Sequence, residues 1–207
     1  MNRKIFCMAI AAFWCVVPAF SQVLWDIRHL SQVKESLDEP VYAAACEQLL
    51  ADAEGIMEAR PVSVMMKDRV AASGDKHDYL SLARYFWPDS TKQDGLPYVN
   101  RDGVSNPELE RLDRNRLSEM AGRVTTWALA YYFSNDERYA GKAVEQLRTW
   151  FLDKATRMNP NLAYAQMVPG VNGGKGRCYG LLDGFSMVEM LDAVQLLKTS
   201  KAFTAKD

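Results

Sequence analysis

The chain has 207 residues, of which 48% are hydrophobic and 25% are charged, and its formal net charge is -1. These values are typical of a folded globular domain and exclude a long disordered chain, which would hold too few apolar residues for a core. No basic excess predicts a nucleic-acid partner, and no acidic block predicts a solvated tail.

The N-terminal residues have the pattern of an export signal. Two basic residues precede an apolar run, and residues 19–21 place small side chains at the positions that a signal peptidase reads. The run is shorter than the roughly 20 apolar residues that a membrane-spanning helix needs. We therefore predict a signal peptide over residues 1–21 and cleavage before Gln22. The mature chain, residues 22–207, is expected in the periplasm or outside the cell, without a stable membrane anchor.

Only two cysteines, Cys46 and Cys178, remain in the predicted mature chain. They could pair in an oxidising compartment or lie buried as small apolar side chains, and the sequence leaves both possibilities open. The two histidines, His29 and His77, are far apart and have no cysteine or carboxylate at ligand spacing. The sequence therefore predicts neither a metal site nor a cofactor.

Apolar residues that recur on one face predict four helices in the mature chain. The first begins with Asp38 as its cap and Pro40 in its first turn, and it ends near Ile56. The last begins at Ser186, which is predicted to form a capping box with Glu189. No stretch alternates steadily between apolar and polar residues, so few strands are expected.

The two other helices lie in the middle of the chain. One is predicted over about 114–133, and the other follows the polar connection 134–136, in which Asp136 is the expected cap. Because this connection is so short, the two helices are predicted to form an antiparallel αα-hairpin. Trp127 and Trp150 lie at helical spacing and are expected in the core. The predicted fold class is all-α.

A long segment between the first two helices, residues 73–108, is too rich in aromatic residues to be disordered. Aromatic rings beside basic and amide side chains suit a sugar, because a pyranose has apolar faces for stacking and hydroxyl edges for hydrogen bonds. Tyr79, Trp87 and Tyr98 could bind a sugar or could pack the segment onto the helices, and both interpretations stay open.

A second long segment, residues 156–185, is rich in glycine and polar residues. Its Gly170–Gly176 stretch lacks the spacing and the Ser or Thr of a phosphate-binding loop, so nucleotide binding is not predicted. The glycines are instead expected to permit positive φ angles and a close approach of the backbone to a ligand. The polar residues of this segment that could contact such a ligand include Asn159, Tyr164, Gln166 and Arg177.

Several motifs in these two segments resemble the alginate lyase family. They are Tyr85-Phe-Trp-Pro-Asp89, Asp94-Gly-Leu-Pro-Tyr98, Asn100-Arg-Asp-Gly103 and Asn106-Pro-Glu108, followed by Met158-Asn-Pro-Asn-Leu162, Tyr164-Ala-Gln166 and Pro169-Gly170. The resemblance covers about residues 60–200. It implies an incomplete (α/α) toroid of antiparallel helix hairpins with two long functional loops. It also implies an exported enzyme that cleaves a uronate polymer by metal-independent β-elimination.

The resemblance further implies roles for individual residues. A mobile aromatic loop of the family closes over the sugar and presents a tyrosine, for which Tyr79 is the first candidate here and Tyr98 the second. Arg101 and Arg177 would bind substrate carboxylates, because the guanidinium fork matches that anion. The remaining candidate substrate-binding residues are His77, Trp87, Asn159, Tyr164 and Gln166.

Family members also carry an Asn-His pair on a later helix, and no Asn-His dipeptide occurs in this sequence. Four helices are moreover too few to close a ring of hairpins. We therefore expect this chain to lack the later catalytic segment and to be inactive by itself. The expected partner of the full-length enzyme is an acidic polysaccharide, and the sequence predicts no oligomeric state.

Two other functions stay open at this point. A helical protein that binds carbohydrate without cleaving it would use the same aromatic segment. A toroid glycoside hydrolase would need two carboxylates that flank the scissile bond, and the first long segment offers Asp78, Asp89, Asp94 and Asp102.

Overall fold

The computed structural model describes residues 24–205 and 207, so the predicted signal peptide lies outside the described residues. This part of the chain contains five α-helices: α1 Ile27–Glu35, α2 Pro40–Gly55, α3 Asp113–Ser134, α4 Glu137–Leu147 and α5 Met187–Leu197. It also contains four short strands: β1 Leu80–Leu82, β2 Phe86–Trp87, β3 Val99–Asn100 and β4 Tyr164–Met167. The prediction of a helix-rich fold is confirmed. The four short strands lie in the two long segments, in keeping with the expectation of few strands.

Helix α3 is the centre of the core. It packs against α2, α4 and α5, and its buried face contains Leu117, Met120, Val124, Trp127 and Tyr131. The indole Nε1 of Trp127 donates a hydrogen bond to the Ala53 carbonyl at 3.3 Å, which connects α3 to α2. Trp127 and Trp150 are both buried, so their predicted place in the core is confirmed.

The predicted hairpin between α3 and α4 is confirmed. Asn135 ends α3 in the left-handed conformation (φ 57°), and the Asp136 carboxylate accepts a hydrogen bond from the Arg138 amide at the start of α4. After Leu147 the helix continues as a π-helical turn, Arg148–Leu152, which brings Trp150 into the core.

Two predicted helix starts were wrong. The residue before α2 is Glu39 rather than Asp38, and its side chain makes no capping hydrogen bond. Ser186 has helical angles (φ -62°, ψ -18°), whereas a capping residue needs an extended backbone. The 3₁₀ segment Cys178–Ser186 runs directly into α5, and the Ser186 hydroxyl donates to the Asp183 carbonyl at 3.3 Å. The predicted capping box with Glu189 is therefore absent.

The four strands form two pairs. Strand β1 pairs in parallel with β4, with Leu80 opposite Tyr164 and Leu82 opposite Met167. Strand β2 pairs with β3 in antiparallel orientation. Because β1 and β4 come from the two long segments, their pairing joins these segments into one layer, which contacts α3 and the 3₁₀ segment that precedes α5.

Neither cysteine forms a disulfide. Cys46 is half-buried and Cys178 is exposed, and both are free thiols. Within residues 24–205 and 207, no helix has the length and apolar character needed to cross a membrane.

A fully buried ion pair anchors the first long segment to α3. Lys67 Nζ lies 3.0 Å from Asp113 Oδ2, and neither side chain is exposed. The ammonium also donates to the carbonyls of Val64 and Lys76, at 2.8 and 2.7 Å. Asp113 Oδ2 accepts a hydrogen bond from the Leu80 amide at 2.9 Å. Burial raises the pKa of Asp113 to about 6, although the neighbouring Lys67 opposes this rise.

The buried pair leads to the first prediction. Lys67→Met should lower the free energy of unfolding by about 3–5 kcal/mol, because the Asp113 carboxylate would stay buried without its cation. Arg111→Met is the control: this guanidinium pairs with Asp68 at the surface, where an ion pair contributes about 0–1 kcal/mol. Denaturant unfolding measures both losses. Equal losses would show that the buried pair is not an anchor.

Candidate functional site

Asp183 is the centre of a buried polar network between the two long segments and α3. Its carboxylate accepts hydrogen bonds from the hydroxyls of Tyr79 and Ser81, at 3.0 and 2.5 Å. It also accepts one from Gln166 Nε2 at 3.0 Å, and Arg114 Nε lies 3.4 Å from the same oxygen, Oδ1. Asp183 itself is only 3% exposed. One carboxylate therefore holds residues of β1, β4 and α3 together.

Gln166 has an unusual backbone within this network. Its φ angle is 50°, a left-handed conformation that residues other than glycine rarely adopt. Its amide donates to Ser81 Oγ at 2.7 Å, and its carbonyl accepts from Arg177 Nε at 3.1 Å. Such a conformation costs on the order of 1–3 kcal/mol and persists where the surroundings enforce it, often at functional sites. Gln166 is therefore a candidate functional residue on structural grounds as well.

The guanidinium of Arg177 contacts two aromatic rings. Its Cζ atom is 5.0 Å from the centroid of the Phe86 ring and 5.1 Å from that of Tyr179. Stacking and the bond from Nε to Gln166 fix the plane of the group. Among the described residues its two terminal nitrogens have no hydrogen-bond partner, so they are available to an anion.

Two glycines let the second long segment pack on β4. A side chain at Gly176 would lie 2.7 Å from the Ala165 amide nitrogen, and one at Gly180 would lie 2.6 Å from the Ala165 Cβ atom. Positive φ angles are confirmed at Gly170, Gly173 and Gly174. The closest approaches of the glycine backbone are made to β4, whereas the sequence analysis expected an approach to a ligand.

Neither of the candidate lid tyrosines has a free hydroxyl. Tyr79 is fully buried, and burial together with the neighbouring Asp183 strongly raises its pKa. Tyr98 is half-buried and donates to Glu108 at 2.9 Å, while Arg69 pairs with the same carboxylate at 2.8 Å. Burial and the bond to Glu108 also raise the pKa of Tyr98. In this conformation both hydroxyls contact carboxylates of the protein.

His77 and Asn159 belong to a separate cluster that joins the two long segments. Asn159 Nδ2 donates to Asp75 and Asp78, at 2.9 and 2.8 Å, and its backbone amide donates to the His77 carbonyl at 3.0 Å. His77 Nδ1 lies 2.6 Å from the Arg157 carbonyl oxygen. These contacts stabilise the pairing of the segments, and the structure does not bring either residue to Asp183.

Trp87 and Arg101 lie on the exposed β2–β3 hairpin. The Cζ atom of Arg101 is 5.4 Å from the centroid of the Trp87 ring, and Trp87 Nε1 donates to the Val104 carbonyl at 2.9 Å. Tyr164 is half-buried and, like Tyr98, packs against a small apolar cluster around Leu80. Of the predicted substrate-binding residues, the structure therefore brings only Gln166 and Arg177 to the Asp183 network.

Four residues of the site were not predicted from the sequence: Ser81, Arg114 and Asp183 of the network, and Tyr179 beside Arg177. A signal for Asp183 was present, because a lone carboxylate stands within the apolar stretch Gly180–Phe185. A buried carboxylate in such a place needs several donors. The donors come from distant parts of the chain, and the sequence does not identify them. Within the described residues, no group of three or more His, Cys, Asp or Glu side chains could hold a metal ion.

Two comparisons with known proteins gave a match. A sequence model of the family described as Alginate lyase matches residues 63–207. The chain is also similar to the crystal structure of an alginate lyase from Bacteroides ovatus, with 52% sequence identity and a TM-score of 0.86. That match covers 90% of this chain and 49% of the other, so this chain spans about half the length of that protein. A search of curated proteins gave no significant match.

The packing of the glycines on β4 leads to the second prediction. Gly176→Ala should destabilise the fold by about 1–3 kcal/mol, because the new methyl group would overlap the backbone of Ala165 next to Gln166. Gly184→Ala is the control: a side chain there meets nothing within 4 Å, and the change should stay within about 0.5 kcal/mol. Thermal unfolding compares the two variants. Equal stabilities would mean that β4 can shift without cost.

Proposed function

Because the chain belongs to the alginate lyase family, we propose that it is part of a polysaccharide lyase that cleaves a uronate polymer by metal-independent β-elimination. The proposed substrates are alginate or related polyuronates. The activity is proposed for the whole protein, since the chain spans about half the length of the matched lyase. We further propose that its helix hairpins belong to an (α/α) toroid.

One observation supports this proposal more than any other: two guanidinium groups lie close to Gln166. Arg177 bonds the Gln166 carbonyl, and Arg114 shares Asp183 Oδ1 with the Gln166 amide. In the part of the chain that the structure describes, the terminal nitrogens of both groups have no partner. Because the guanidinium fork matches a carboxylate, these two groups suit a uronate.

The chemistry of β-elimination explains why such a site needs positive charge. The C5 proton of a uronate is weakly acidic, and its removal moves negative charge onto the adjacent carboxylate. A guanidinium that already contacts this carboxylate stabilises the developing charge. A base then takes the C5 proton, and an acid protonates the departing glycosidic oxygen. We propose that Arg177 neutralises the carboxylate, because the charge of Arg114 is already balanced by Asp183.

The tyrosine of the reaction has three candidates. Tyr79 and Tyr98 would first have to leave the carboxylates of Asp183 and Glu108. Tyr179 is 57% exposed, and its ring already contacts Arg177. It therefore needs no such rearrangement, and we add it to the two tyrosines that the sequence suggests.

The β2–β3 hairpin is the proposed sugar-stacking surface. Trp87 is half-buried, with Arg101 over one side of its ring. The other face of the indole is proposed to stack on the apolar face of a pyranose, while Arg101 contacts a neighbouring carboxylate of the substrate. Tyr164 and the amide of Asn159 are proposed to contact more distant sugar units.

The third prediction tests the reaction. The purified full-length protein, incubated with alginate, should yield products with a C4–C5 double bond, which absorb in the ultraviolet. Arg177→Met keeps an apolar side chain next to the two rings and removes the charge, so kcat/KM should fall roughly tenfold to a hundredfold. Arg28→Met is the control, because this side chain is 92% exposed on α1 and should leave kcat/KM unchanged.

The products also separate the other two functions. Shortened chains without ultraviolet absorbance would indicate a glycoside hydrolase. Binding of alginate without any product would indicate a non-catalytic carbohydrate-binding protein. Absence of both binding and cleavage would refute the proposed substrate class.

We also propose that the protein is exported and that its signal peptide is removed before Gln22. The buried Asp192 carboxylate supports this site, because it accepts hydrogen bonds from the backbone amides of Leu24 and Trp25, at 2.7 and 2.9 Å. Leu24, the third residue after the predicted cut, is thus anchored to the fold.

Mass spectrometry of the protein secreted by a bacterial host tests this fourth prediction. The intact mass should correspond to a chain that starts at Gln22. A protein that retains residues 1–21, or that stays in the cytoplasm, would contradict export by this signal.

A further inference from the structure

We propose that Asp183 is a positioning residue that fixes the orientation of the Gln166 side-chain amide, so that Gln166 presents its carbonyl oxygen to a sugar hydroxyl of the substrate. The inference rests on the proposed function, because it assigns a task to one residue of that site. Asp183 does not itself contact the sugar.

The first step is the direction of the amide. An ionised carboxylate only accepts hydrogen bonds, so the NH₂ group of Gln166 must be the end that faces Asp183. The distance from Nε2 to Asp183 Oδ1 is 3.0 Å. The opposite end, Oε1, therefore points away from Asp183. Reversing the amide would place two acceptor oxygens against each other, which the buried setting makes unfavourable.

The second step is access to that oxygen. In residues 24–205 and 207, only Asp113 Oδ1 and Trp150 Nε1 are side-chain polar atoms that are both fully buried and without a partner. Gln166 Oε1 has no partner among these residues and is not one of the two atoms. It therefore reaches solvent, although Gln166 as a whole is only 9% exposed. A solvent-facing carbonyl oxygen on an otherwise buried residue is suited to accept one hydrogen bond from a ligand.

The third step is the rigidity of the support. Gln166 is held at its amide by Ser81, at its carbonyl by Arg177 and at its Nε2 by Asp183. Ser81 Oγ also donates to Asp183, so the side chain and the backbone of Gln166 are fixed by one connected network. A preorganised acceptor binds a hydroxyl at a lower entropic cost than a mobile one.

The charges of the network define what this acceptor recognises. Asp183 and Arg114 compensate each other, which leaves Arg177 as the cation of this group. The site then combines one cation for a carboxylate with one acceptor for a hydroxyl donor. A uronate carries both groups on one ring, whereas a simple carboxylate would use only the first.

The main test is the Asp183→Asn variant of the purified full-length protein. Its affinity for short unsubstituted mannuronate oligosaccharides is measured. The Asn amide can itself donate, so the Gln166 amide loses its fixed direction. We expect binding to weaken roughly tenfold or more. The side-chain ¹H–¹⁵N resonances of Gln166 should also shift, and their protons should exchange faster with solvent. A purely structural role would lower stability and leave these resonances in place.

Asp192→Asn is the matched control. Asp192 is also 3% exposed, and its carboxylate also accepts hydrogen bonds, two of which come from the backbone amides of Leu24 and Trp25. This variant should lose stability while keeping the oligosaccharide affinity and the Gln166 resonances of the wild type. Equal losses of affinity in both variants would show that any buried Asp→Asn change weakens binding, which would overturn the proposal.

Gln166→Met provides a second route if Asp183→Asn does not fold. Methionine has a similar shape and removes both the donor and the acceptor, and it too should bind roughly tenfold more weakly. Wild-type affinity in Gln166→Met, or unchanged affinity and Gln166 resonances in Asp183→Asn, would overturn the inference. If the wild type itself binds no uronate, the proposed function fails, and the Gln166 resonances still report whether Asp183 orients the amide.

Discussion

Two buried carboxylates, Asp113 and Asp183, hold the short strand β1 in place. Asp113 accepts the Leu80 amide and pairs with Lys67, and Asp183 accepts the hydroxyl of Ser81. A strand of three residues with a single partner strand is not stable by itself in water. In a larger sheet, carbonyl groups of neighbouring strands would accept such hydrogen bonds, and here the two carboxylates accept them instead. The position of β1, and through it that of β4, therefore depends on charges that are costly to bury.

This arrangement has a consequence for the site. Isolated buried ions cost several kcal/mol, so each carboxylate must be surrounded by donors, and the donors become fixed in turn. Around Asp183 these partners include the donor Gln166 and the guanidinium of Arg114, whose side chain is 26% exposed. The interaction that stabilises the layer of loops thus also orients the groups available to a substrate. Strain at Gln166 is tolerated because the network over-determines its conformation.

Four of the five described helices could be predicted from the sequence because their signals are local, whereas α1 was missed. The apolar face of α3 and the cap at Asp136 depend on residues a few positions apart. The strands could not, because β1 and β4 are too short to show alternation and are more than 80 residues apart. The prediction of a cap at Ser186 was wrong because only the local sequence matches a cap. In the structure, the 3₁₀ segment Cys178–Ser186 runs directly into α5, so Ser186 is already helical. Local patterns identify elements, and they do not identify which elements meet.

At the site, too, the sequence indicates which residue types suit a ligand but not where the fold places them. Arg177 and Gln166 could be selected from the sequence because their chemistry suits a uronate, whereas Tyr79 was selected on equal grounds and lies buried. Aromatic residues serve a core and a sugar site equally well, so composition does not separate the two uses. An arginine is more informative, because it is rarely buried without a partner. In a glycine-rich segment that packs on a strand, an arginine with unpaired terminal nitrogens is the stronger indication of an anionic ligand.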